Sequence, residues 1–475
     1  MSTAEGSPVR VRLELRSFAA DLALPPGTDV LRTREPEPVA HVYEAVQQAL
    51  SAPLGGPSLS STCCRVLETT APQPPAVVVV VSDNTRPVPY RGEGGILKPL
   101  LDALFLAGIR PQWITLLVAS GTHRVMSEQE IWALFDSDIR DTGVRVRCHD
   151  AADRATLVPV GRTLGGADVA LNRNYVQADL RILTGLVEPH LMAGVSGGRK
   201  SICPGLVGVQ SVRDFHGPRT VANPKATDLL LEGNPCHEIA LEIAGMAPPD
   251  IILNVTMRQD GKVAGVFAGD MEQAHLAAFE HVRDFAGIRL EGRYDVVVAH
   301  SGLVGVNHYQ AEKAAAVAAK AVRDGGYVVI AADTTDPDPV GTPSYRRLLR
   351  LLTEVGHEAF SKAIQADDWE FAHDQWGAQV WAQLLARVPP DHIYYFSPQT
   401  SPDDYPMLAC VYPPPLPGLL EGCGAGESVA AFVAAAVRRA GAASEAETGQ
   451  PATVAYLADG PHGIPLLADQ PDDLS

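Results

Sequence analysis

The sequence lacks any apolar run long enough to cross a membrane as a helix. Its longest runs, such as AVVVVV near Val80, are far shorter than the roughly 20 apolar residues that a bilayer requires. The amino-terminal stretch MSTAEGSPVRVRLELRS mixes charged with apolar residues and has no continuous apolar segment typical of a secretory signal. We therefore expect a cytoplasmic protein without a membrane partner.

Disulfide and zinc motifs are also missing. The chain has seven cysteines, an odd number, and none of them forms a CxxC pair. There is no HExxH motif either, so neither a disulfide framework nor a hydrolytic zinc site is supported. We expect buried free thiols, and we expect the isolated pairs His149–Asp150 and His237–Glu238 to lie at the surface.

Clusters of basic residues are absent from a chain that has 56 Asp and Glu residues against 38 Lys and Arg residues. The net charge of −18 argues against a nucleic-acid partner, because binding to nucleic acid requires a basic face. A small anion could still be bound by a few cations placed inside a cleft.

What the chain does have is length and a regular alternation of strands and helices. Its 475 residues exceed the size at which one core keeps growing, and the alternation indicates an α/β fold with two domains. The domain boundary follows the helix MEQAHLAAFEHVRDF, which gives domains at residues 1–285 and 286–475. We expect the proline-rich VYPPPLPG to be an insert and the terminal DQPDDLS to be frayed. The predicted strands are VVVVVS, WITLLVAS and ADLRILTG in the first half and YDVVVAHSG, GYVVIAADT, HIYYFS and ATVAYLADG in the second half.

Polar residues follow directly after four of these strands. Ligands of open α/β sheets bind at the carboxyl ends of the strands, so these residues are candidates for a binding site. The segments are DNTRP after VVVVVS, GTHR after WITLLVAS, LVEPH after LRILTG and VGVNHYQAEK after VVVAHSG. The next segment, EPHLMAGVSGGRKSICPG, places a lysine among glycines, which allow close approach by a ligand. The converging candidates are Arg86, His123, His190, Lys200 and Lys313.

Each candidate also has a structural interpretation. Asp83 and Asn84 are common formers of an Asx-turn. A single histidine such as His123 is often a satisfied structural residue, and Lys200 could simply extend into water. We favour a binding role because histidine, arginine and lysine are expected together at neighbouring strand ends.

The stretch GVSGGRKS is close to a phosphate-binding loop but does not match one. The motif G-x-x-x-x-G-K-[ST] needs a glycine before the lysine, and Arg199 occupies that place. A phosphate-loop NTPase is therefore a weak alternative, although the backbone amides of residues 196–198 could still bind a phosphate.

Taken in order, the segments resemble the lactate racemase family, the nickel-pincer nucleotide 2-hydroxyacid racemases and epimerases. The resemblance implies two α/β domains with Rossmann-like sheets and an active-site cleft between them. It also implies an isomerase acting on a small 2-hydroxy acid. It runs from about Leu22 to Trp376 and rests on SDNTRPVP, ASGTHR, EPHLMAGVSGGRKSICPG, DFHGP, GNPCHE, ILNV, GVFAGD and NHYQAEK.

The same resemblance implies roles for individual residues. Lys200 would attach the cofactor, a pyridinium-3,5-bisthiocarboxylic acid mononucleotide, through a thioamide bond. His216 would be the protein ligand of its nickel ion, and His123 and His190 would be the acid/base pair. The remaining residues are those that bind the cofactor, Asp83, Asn84, Thr85 and Arg86, and those that bind the substrate, Arg86, Tyr309, Gln310, Lys313 and Trp376.

The chemistry of 2-hydroxy acids suits this set of residues. The carboxylate opposes loss of the C2 proton, whereas hydride leaves more easily once the hydroxyl is being deprotonated. The flat 2-oxo acid can take the hydride back on either face, so each enantiomer needs its own base, and two histidines are expected. The cofactor would come from separate maturation enzymes. A non-enzymatic carrier of the nickel nucleotide is the other alternative.

Two positions depart from the family pattern. Asn84 stands where lactate racemase itself has histidine, and Gly305 lies near the place where members commonly carry an acidic residue. These departures leave the substrate open among lactate, malate, phenyllactate and sugar acids, and the oligomeric state is open as well.

Overall fold

The structure, a computed structural model, describes residues 6–372, 374–411 and 423–467. Most of VYPPPLPG and all of DQPDDLS, the predicted insert and frayed end, lie outside these residues. The strands are β1 (Val9–Glu14), β2 (Ala19–Leu24), β3 (Asp29–Leu31), β4 (Val77–Ser82), β5 (Ile114–Ala119), β6 (Arg145–Cys148), β7 (Leu157–Arg162), β8 (Asp168–Asn172), β9 (Leu180–Leu186), β10 (Pro189–His190), β11 (Gly194–Val195), β12 (Ile251–Met257), β13 (Val263–Gly269), β14 (Gly287–Leu290), β15 (Tyr294–His300), β16 (Val322–Ala331), β17 (Ile393–Phe396), β18 (Val454–Leu457) and β19 (Ile464–Leu467). The α-helices are α1 (Val42–Ser51), α2 (Leu59–Thr70), α3 (Leu97–Leu106), α4 (Glu128–Trp132), α5 (Ser137–Asp141), α6 (Arg173–Val176), α7 (Val209–Phe215), α8 (Pro218–Val221), α9 (Pro235–Gly245), α10 (Met271–Ala286), α11 (His308–Ala321), α12 (Pro343–Ile364, interrupted at Gly356), α13 (Gln375–Leu385) and α14 (Ala425–Thr448).

The chain divides into two compact units, and the division differs from the predicted one at the amino terminus. One unit is Arg34–Phe285, and the other joins the described residues up to Thr33 to those from Ala286 onward. The expected domain of residues 1–285 therefore loses its first segment. The reason is packing, because β3 pairs in parallel with β18 and α14 packs on β2.

The Arg34–Phe285 unit is built on a six-stranded sheet in the order β13-β12-β9-β4-β5-β6. All neighbouring strands are parallel except β12 and β13, which are antiparallel. Strand β4 is a run of valines because both of its faces are covered, and its first five residues are buried. On one face Val77, Val79 and Val81 share a hydrophobic core with residues of α1, α2 and α3.

The other unit is built on a five-stranded parallel sheet in the order β17-β16-β15-β18-β3. Val296, Val329 and Tyr456 of this sheet join Leu22 and Phe432 in one hydrophobic core. Every strand predicted from the sequence is present, as β4, β5, β9, β15, β16, β17 and β18. No helix among the described residues is long and apolar enough to span a membrane.

Candidate active site

Three neighbouring strands of the six-stranded sheet carry the first polar residues that the sequence indicated. Strands β9, β4 and β5 lie side by side and run parallel, so their carboxyl ends meet at one edge of the sheet. Asp83 directly follows β4, His123 comes soon after β5, and His190 comes soon after β9. Sheet topology therefore gathers the loops that carry these residues.

Asp83 connects two of these loops. Its carboxylate is 4% exposed, and Oδ1 accepts hydrogen bonds from the backbone N–H of Thr85 at 3.1 Å and from the Thr85 hydroxyl at 2.6 Å. Its Oδ2 lies 2.7 Å from Nδ1 of His123. Burial raises the pKa of Asp83, but the hydrogen bonds from His123 and Thr85 outweigh it and leave the pKa below its usual value. Asp83 thus forms the expected turn and also holds a histidine.

The rings of His123 and His190 are held in different ways. An ionised Asp83 can only accept, so Nδ1 of His123 donates to it and Nε2 of His123 is left as the proton acceptor. In His190, Nδ1 accepts from the backbone N–H groups of Met192 at 3.3 Å and Ala193 at 3.2 Å, which puts its ring proton on Nε2. One ring is therefore arranged to take a proton and the other to give one.

Arg86 is held by an ion pair that the sequence did not reveal. Its Nη1 donates to Oε1 of Glu188 at 2.8 Å. Glu188 is fixed in turn by Ser196, whose hydroxyl accepts from the Glu188 N–H at 3.1 Å and whose N–H donates to the Glu188 carbonyl at 2.9 Å. The ion pair therefore ties the loop after β4 to the segment that carries His190.

Two glycines shape the segment that leads to Lys200. Gly197 and Gly198 have φ values of 75° and 50°, which side chains rarely allow. A Cβ on Gly197 would lie 2.6 Å from Val187, and one on Gly198 would lie 2.7 Å from the ring of His275. The chain then forms a short 3₁₀ helix, Gly198–Ser201, rather than the α-helix that follows a phosphate loop. The NTPase alternative therefore has no structural support.

Two arginines, Arg86 and Arg199, lie close enough to Lys200 to affect its charge. Its side chain is half-buried, its Nζ lies 5.1 Å from the centroid of the Phe215 ring, and no carboxylate of the described residues forms an ion pair with it. Burial, followed by the charges of Arg86 and Arg199, lowers the pKa of Lys200 well below its usual range. These effects favour the neutral amine, which is the form that acts as a nucleophile.

Arg199 is the cation beside Lys200 in the chain. It is 1% exposed, and its guanidinium donates to the Ala193 carbonyl at 2.8 Å and lies 2.6 Å from Nε2 of His275. Burial lowers the pKa of Arg199 to about 9, so the group remains charged near neutral pH. Its fixed positive charge opposes protonation of Lys200.

His216 fits the role of a metal ligand. It ends α7 against the ring of Phe215, and burial, followed by the charges of Lys200 and His123, lowers the pKa of His216 to about 3. The imidazole is therefore neutral, as metal binding requires. The described residues contain no group of three or more His, Cys, Asp or Glu side chains that could hold a metal ion. A metal at His216 would take its other ligands from a bound group, so the residues fit a metal that a nucleotide carries.

The predicted substrate-binding residues of the other unit lie at the starts of α11 and α13. Asn307 caps α11 by accepting a hydrogen bond from the N–H of Gln310 at 2.9 Å. Gln310 and Lys313 are half-buried and lie about one helical turn apart. Nε1 of Trp376 donates to the hydroxyl of Tyr309, and the two ring centroids are 6.3 Å apart.

Comparison with known proteins identifies the family. A family model described as the lactate racemase N-terminal domain matches residues 16–228. A lactate racemase of Thermoanaerobacterium thermosaccharolyticum is 32% identical over 343 residues, which cover 72% of this chain and 77% of that protein. The chain belongs to the lactate racemase family. A lactate racemase of Lactiplantibacillus plantarum is 29% identical over 362 residues, 76% of this chain and 81% of that protein.

Solved structures agree with this membership. The lactate racemase apoprotein of Thermoanaerobacterium thermosaccharolyticum matches with a TM-score of 0.78 at 25% identity, over 97% of this chain and 100% of that chain. A crystal structure of a Thermotoga maritima protein shares the fold alone, with a TM-score of 0.57 at 17% identity over 87% of this chain and 99% of that chain. The predicted α/β class is confirmed, and the chain is an isomerase of the racemase type in a family that uses nickel.

The two departures from the lactate racemase pattern have different structural settings. Asn84 is exposed, so burial would not prevent a larger side chain such as histidine from fitting at this position. Gly305 is buried, and a Cβ at this position would collide with the side chain of Ser301. The acidic residue common in the lactate racemase family therefore has no room at Gly305 in this racemase.

Some residues lie elsewhere than expected. His149 is fully buried rather than at the surface, because Nε2 bonds the Val207 carbonyl at 3.0 Å and Nδ1 lies 3.2 Å from Nδ2 of Asn172. His237 is half-buried. All seven cysteines are free, as expected, but they are not uniformly buried, since Cys64 and Cys423 are exposed.

Proposed function

We propose that this racemase interconverts the enantiomers of a small 2-hydroxy acid through a 2-oxo acid, with hydride transfer to and from a nickel-pincer nucleotide. The observation that carries the proposal is the pair of histidines after β5 and β9, the two strands that flank β4. Nε2 of His123 is an acceptor, and Nε2 of His190 carries a proton. A base and an acid are both needed, because one hydroxyl proton is removed and one is returned in each turnover.

The histidines would act on the hydroxyl group of the substrate. His123 takes the proton from one enantiomer, and its imidazolium is stabilised by the carboxylate of Asp83. His190 would supply the proton when the oxygen of the other enantiomer forms, passing from imidazolium to neutral imidazole. In the reverse direction the two rings exchange these roles, so a racemase needs both.

Cations and amides would hold the substrate carboxylate while the ketone turns over. Arg86 offers planar donors and is oriented by Glu188. Lys313 offers a point charge, and Gln310 offers an amide beside it. The aromatic pair Tyr309 and Trp376 would bound the substrate pocket. Asn84, which stands in place of the family histidine, would alter contacts with the cofactor or the substrate.

The cofactor would be bound by the loops of the Arg34–Phe285 unit. Lys200 would attach it through a thioamide bond, since its surroundings favour the neutral amine and no carboxylate of the described residues forms an ion pair with it. His216 would ligate nickel, and the turn at Asp83, Asn84, Thr85 and Arg86 would contact the nucleotide. When bound, the group supplies an electron-poor ring carbon that accepts and returns hydride. Cofactor-maturation enzymes are the expected partners, and a cytoplasmic location stays a prediction.

Isotope labelling tests the reaction. Lactate is the first substrate to try because the two relatives are named lactate racemases, followed by malate, phenyllactate and sugar acids. With substrate deuterated at C2, we expect the opposite enantiomer to form with the label largely retained. Loss of the label to solvent would instead indicate proton abstraction at C2 and would refute the proposed chemistry.

Histidine variants test the assignment of the bases. We expect His123→Ala and His190→Ala to retain the cofactor and to lose racemisation. Full racemisation by His190→Ala would contradict its role. Retention of cofactor by the parent protein with no turnover of any hydroxy acid would point to the carrier alternative.

A further inference from the structure

A buried carboxyl group lies beside the predicted substrate-binding residues of α11. Glu312 is 3% exposed, and within the described residues its Oε2 has no hydrogen-bond partner. It directly precedes Lys313 and follows Tyr309 by almost one helical turn. A buried carboxyl with an oxygen that lacks a hydrogen-bond partner is costly to keep, so its retention here requires a reason.

The Glu312 side chain packs against the first turn of α13. Gly377 leaves the space for it, because a Cβ on Gly377 would collide with Oε2 of Glu312 and would lie 2.5 Å from the ring of Tyr309. The preceding residue, Trp376, donates its indole N–H to the hydroxyl of Tyr309. Glu312 therefore lies beside the contact between Tyr309 and Trp376, the two aromatic residues that are predicted to bind the substrate.

The charge of Glu312 is set by its surroundings. Burial raises the pKa of Glu312 to about 8, the positive charge of Lys313 opposes this rise, and the carboxylate of Asp374 adds to it. Among the described residues, the charge of Glu312 also raises the pKa values of the hydroxyls of Tyr309 and of Tyr345 on α12. At neutral pH the carboxyl is therefore mostly uncharged.

We propose that Glu312 is a positioning residue for substrate binding, which in its neutral state adds no negative charge beside Lys313 and keeps Trp376 packed on Tyr309. This inference rests on the proposed role of Lys313 in binding a 2-hydroxy acid. Ionised Glu312 would place a negative charge beside Lys313, which partly cancels its attraction for an anion. Ionised Glu312 would also place a buried charge against the first turn of α13, which is energetically unfavourable.

The pH dependence of KM tests the inference. In the loaded parent enzyme we expect KM for the hydroxy acid to rise roughly 3- to 10-fold between pH about 7 and about 9.5, as Glu312 ionises. In Glu312→Gln, which is neutral at every pH and similar in shape, we expect KM to stay nearly constant. The alkaline limb of kcat should be the same in both proteins. An equal rise of KM in both proteins, or a flat KM in the parent, would overturn the inference.

An infrared titration of the apoprotein tests the same point without turnover. We expect the band of a protonated carboxyl at neutral pH, its loss as the pH rises through about 8, and its absence from Glu312→Gln. The matched control is Glu130→Gln, because Glu130 pairs with Arg124, has a pKa lowered to about 2, and is already ionised. The control should keep the band, and absence of the band from the parent protein would also overturn the inference.

A lysine variant separates this inference from the function on which it rests. If Lys313→Ala leaves KM unchanged, the proposed substrate role of Lys313 is wrong. If Lys313→Ala raises KM while Glu312→Gln keeps the pH dependence of the parent, the substrate role stands and the role of Glu312 is refuted. A thermal unfolding curve of each variant shows that the compared proteins are folded.

Discussion

Nδ1 of His123 lies 2.7 Å from Oδ2 of Asp83, and this contact joins the loop after β5 to the turn after β4. Hydrogen bonds from Thr85 hold the other carboxylate oxygen, Oδ1, so both oxygens of the Asp83 side chain are fixed. An ionised acceptor at Nδ1 sets both the orientation of the imidazole and its tautomer. Catalysis by His123 should therefore depend on Asp83.

Replacing Asp83 by asparagine tests this dependence. The amide can donate to Nδ1, which favours the tautomer with the proton on Nε2 and removes the base. We expect Asp83→Asn to lower kcat by about 10- to 1,000-fold with a smaller change in KM. The control is Asp102→Asn on α3, where the carboxylate accepts from Tyr43 at 3.0 Å, and it should keep the parent kcat. Equal kcat values for Asp83→Asn and the parent would contradict the role of Asp83.

Replacing Lys200 tests the attachment point. Because only a neutral primary amine can form the thioamide, we expect both Lys200→Ala and Lys200→Arg to lack the mass of the bound cofactor. Intact-mass spectrometry of protein from a host that makes the cofactor measures this directly. Lys98→Ala removes a half-exposed lysine that pairs with Asp102 and should retain the added mass. An adduct on Lys200→Ala would show that attachment occurs elsewhere.

A methyl group at Gly198 tests the shape of the Lys200 segment. Gly198→Ala would be strained at a φ of 50° and would also press on the ring of His275, which lies 2.7 Å from the added Cβ. We expect a loss of about 1–3 kcal/mol of stability and weaker retention of the cofactor. Gly261 has a φ of 81° and no atom within 4 Å of an added Cβ, so Gly261→Ala measures the strain alone. Equal losses from both variants would show that the contact with His275 is unimportant.

The positions of several candidate residues in the Arg34–Phe285 unit could be predicted because these residues follow buried strands. The valines of β4 and the apolar residues of β5 mark strands by composition, and the polar residues after them fall at one edge of the sheet by topology. The resemblance to the lactate racemase family added roles to these positions. Asp83 was predicted as a cofactor residue, and its contact with His123 emerged only from the folded chain.

The features that were missed depend on contacts between distant parts of the chain. The strands β1 and β2 form a separate two-stranded sheet, and its packing on α14 could not be predicted from the residues of the hairpin alone. Glu188 lies 102 positions from Arg86, and no spacing rule links them. Glu312 has the sequence context of an exposed helical residue, and the glycine at position 377 leaves the space in which α13 covers it.

The pH dependence of stability gives a prediction for the five-stranded sheet. Asp295 accepts hydrogen bonds from Nε of Arg323 at 2.6 Å and from the N–H of Thr453 at 2.9 Å, which link β15 to β16 and to the segment before β18. Burial raises the pKa of Asp295, but these bonds outweigh it and lower the pKa to about 2. The stabilisation is therefore present above the unfolded pKa near 3.8 and is lost as the pH falls through about 2.

Replacing Asp295 by asparagine should remove this stabilisation. We expect Asp295→Asn to lower the free energy of unfolding at pH about 7 by about 1–2 kcal/mol, a value reduced by partial exposure of the carboxylate. The difference from the parent should shrink as the pH falls from about 4 toward about 2, because the parent loses the ionised carboxylate. Thermal unfolding across this pH range measures it. Asp324 pairs with Arg387 but is 84% exposed, so Asp324→Asn should change stability by less than about 0.5 kcal/mol. Equal effects of the two substitutions would mean that the Asp295 bonds stabilise no more than a surface ion pair.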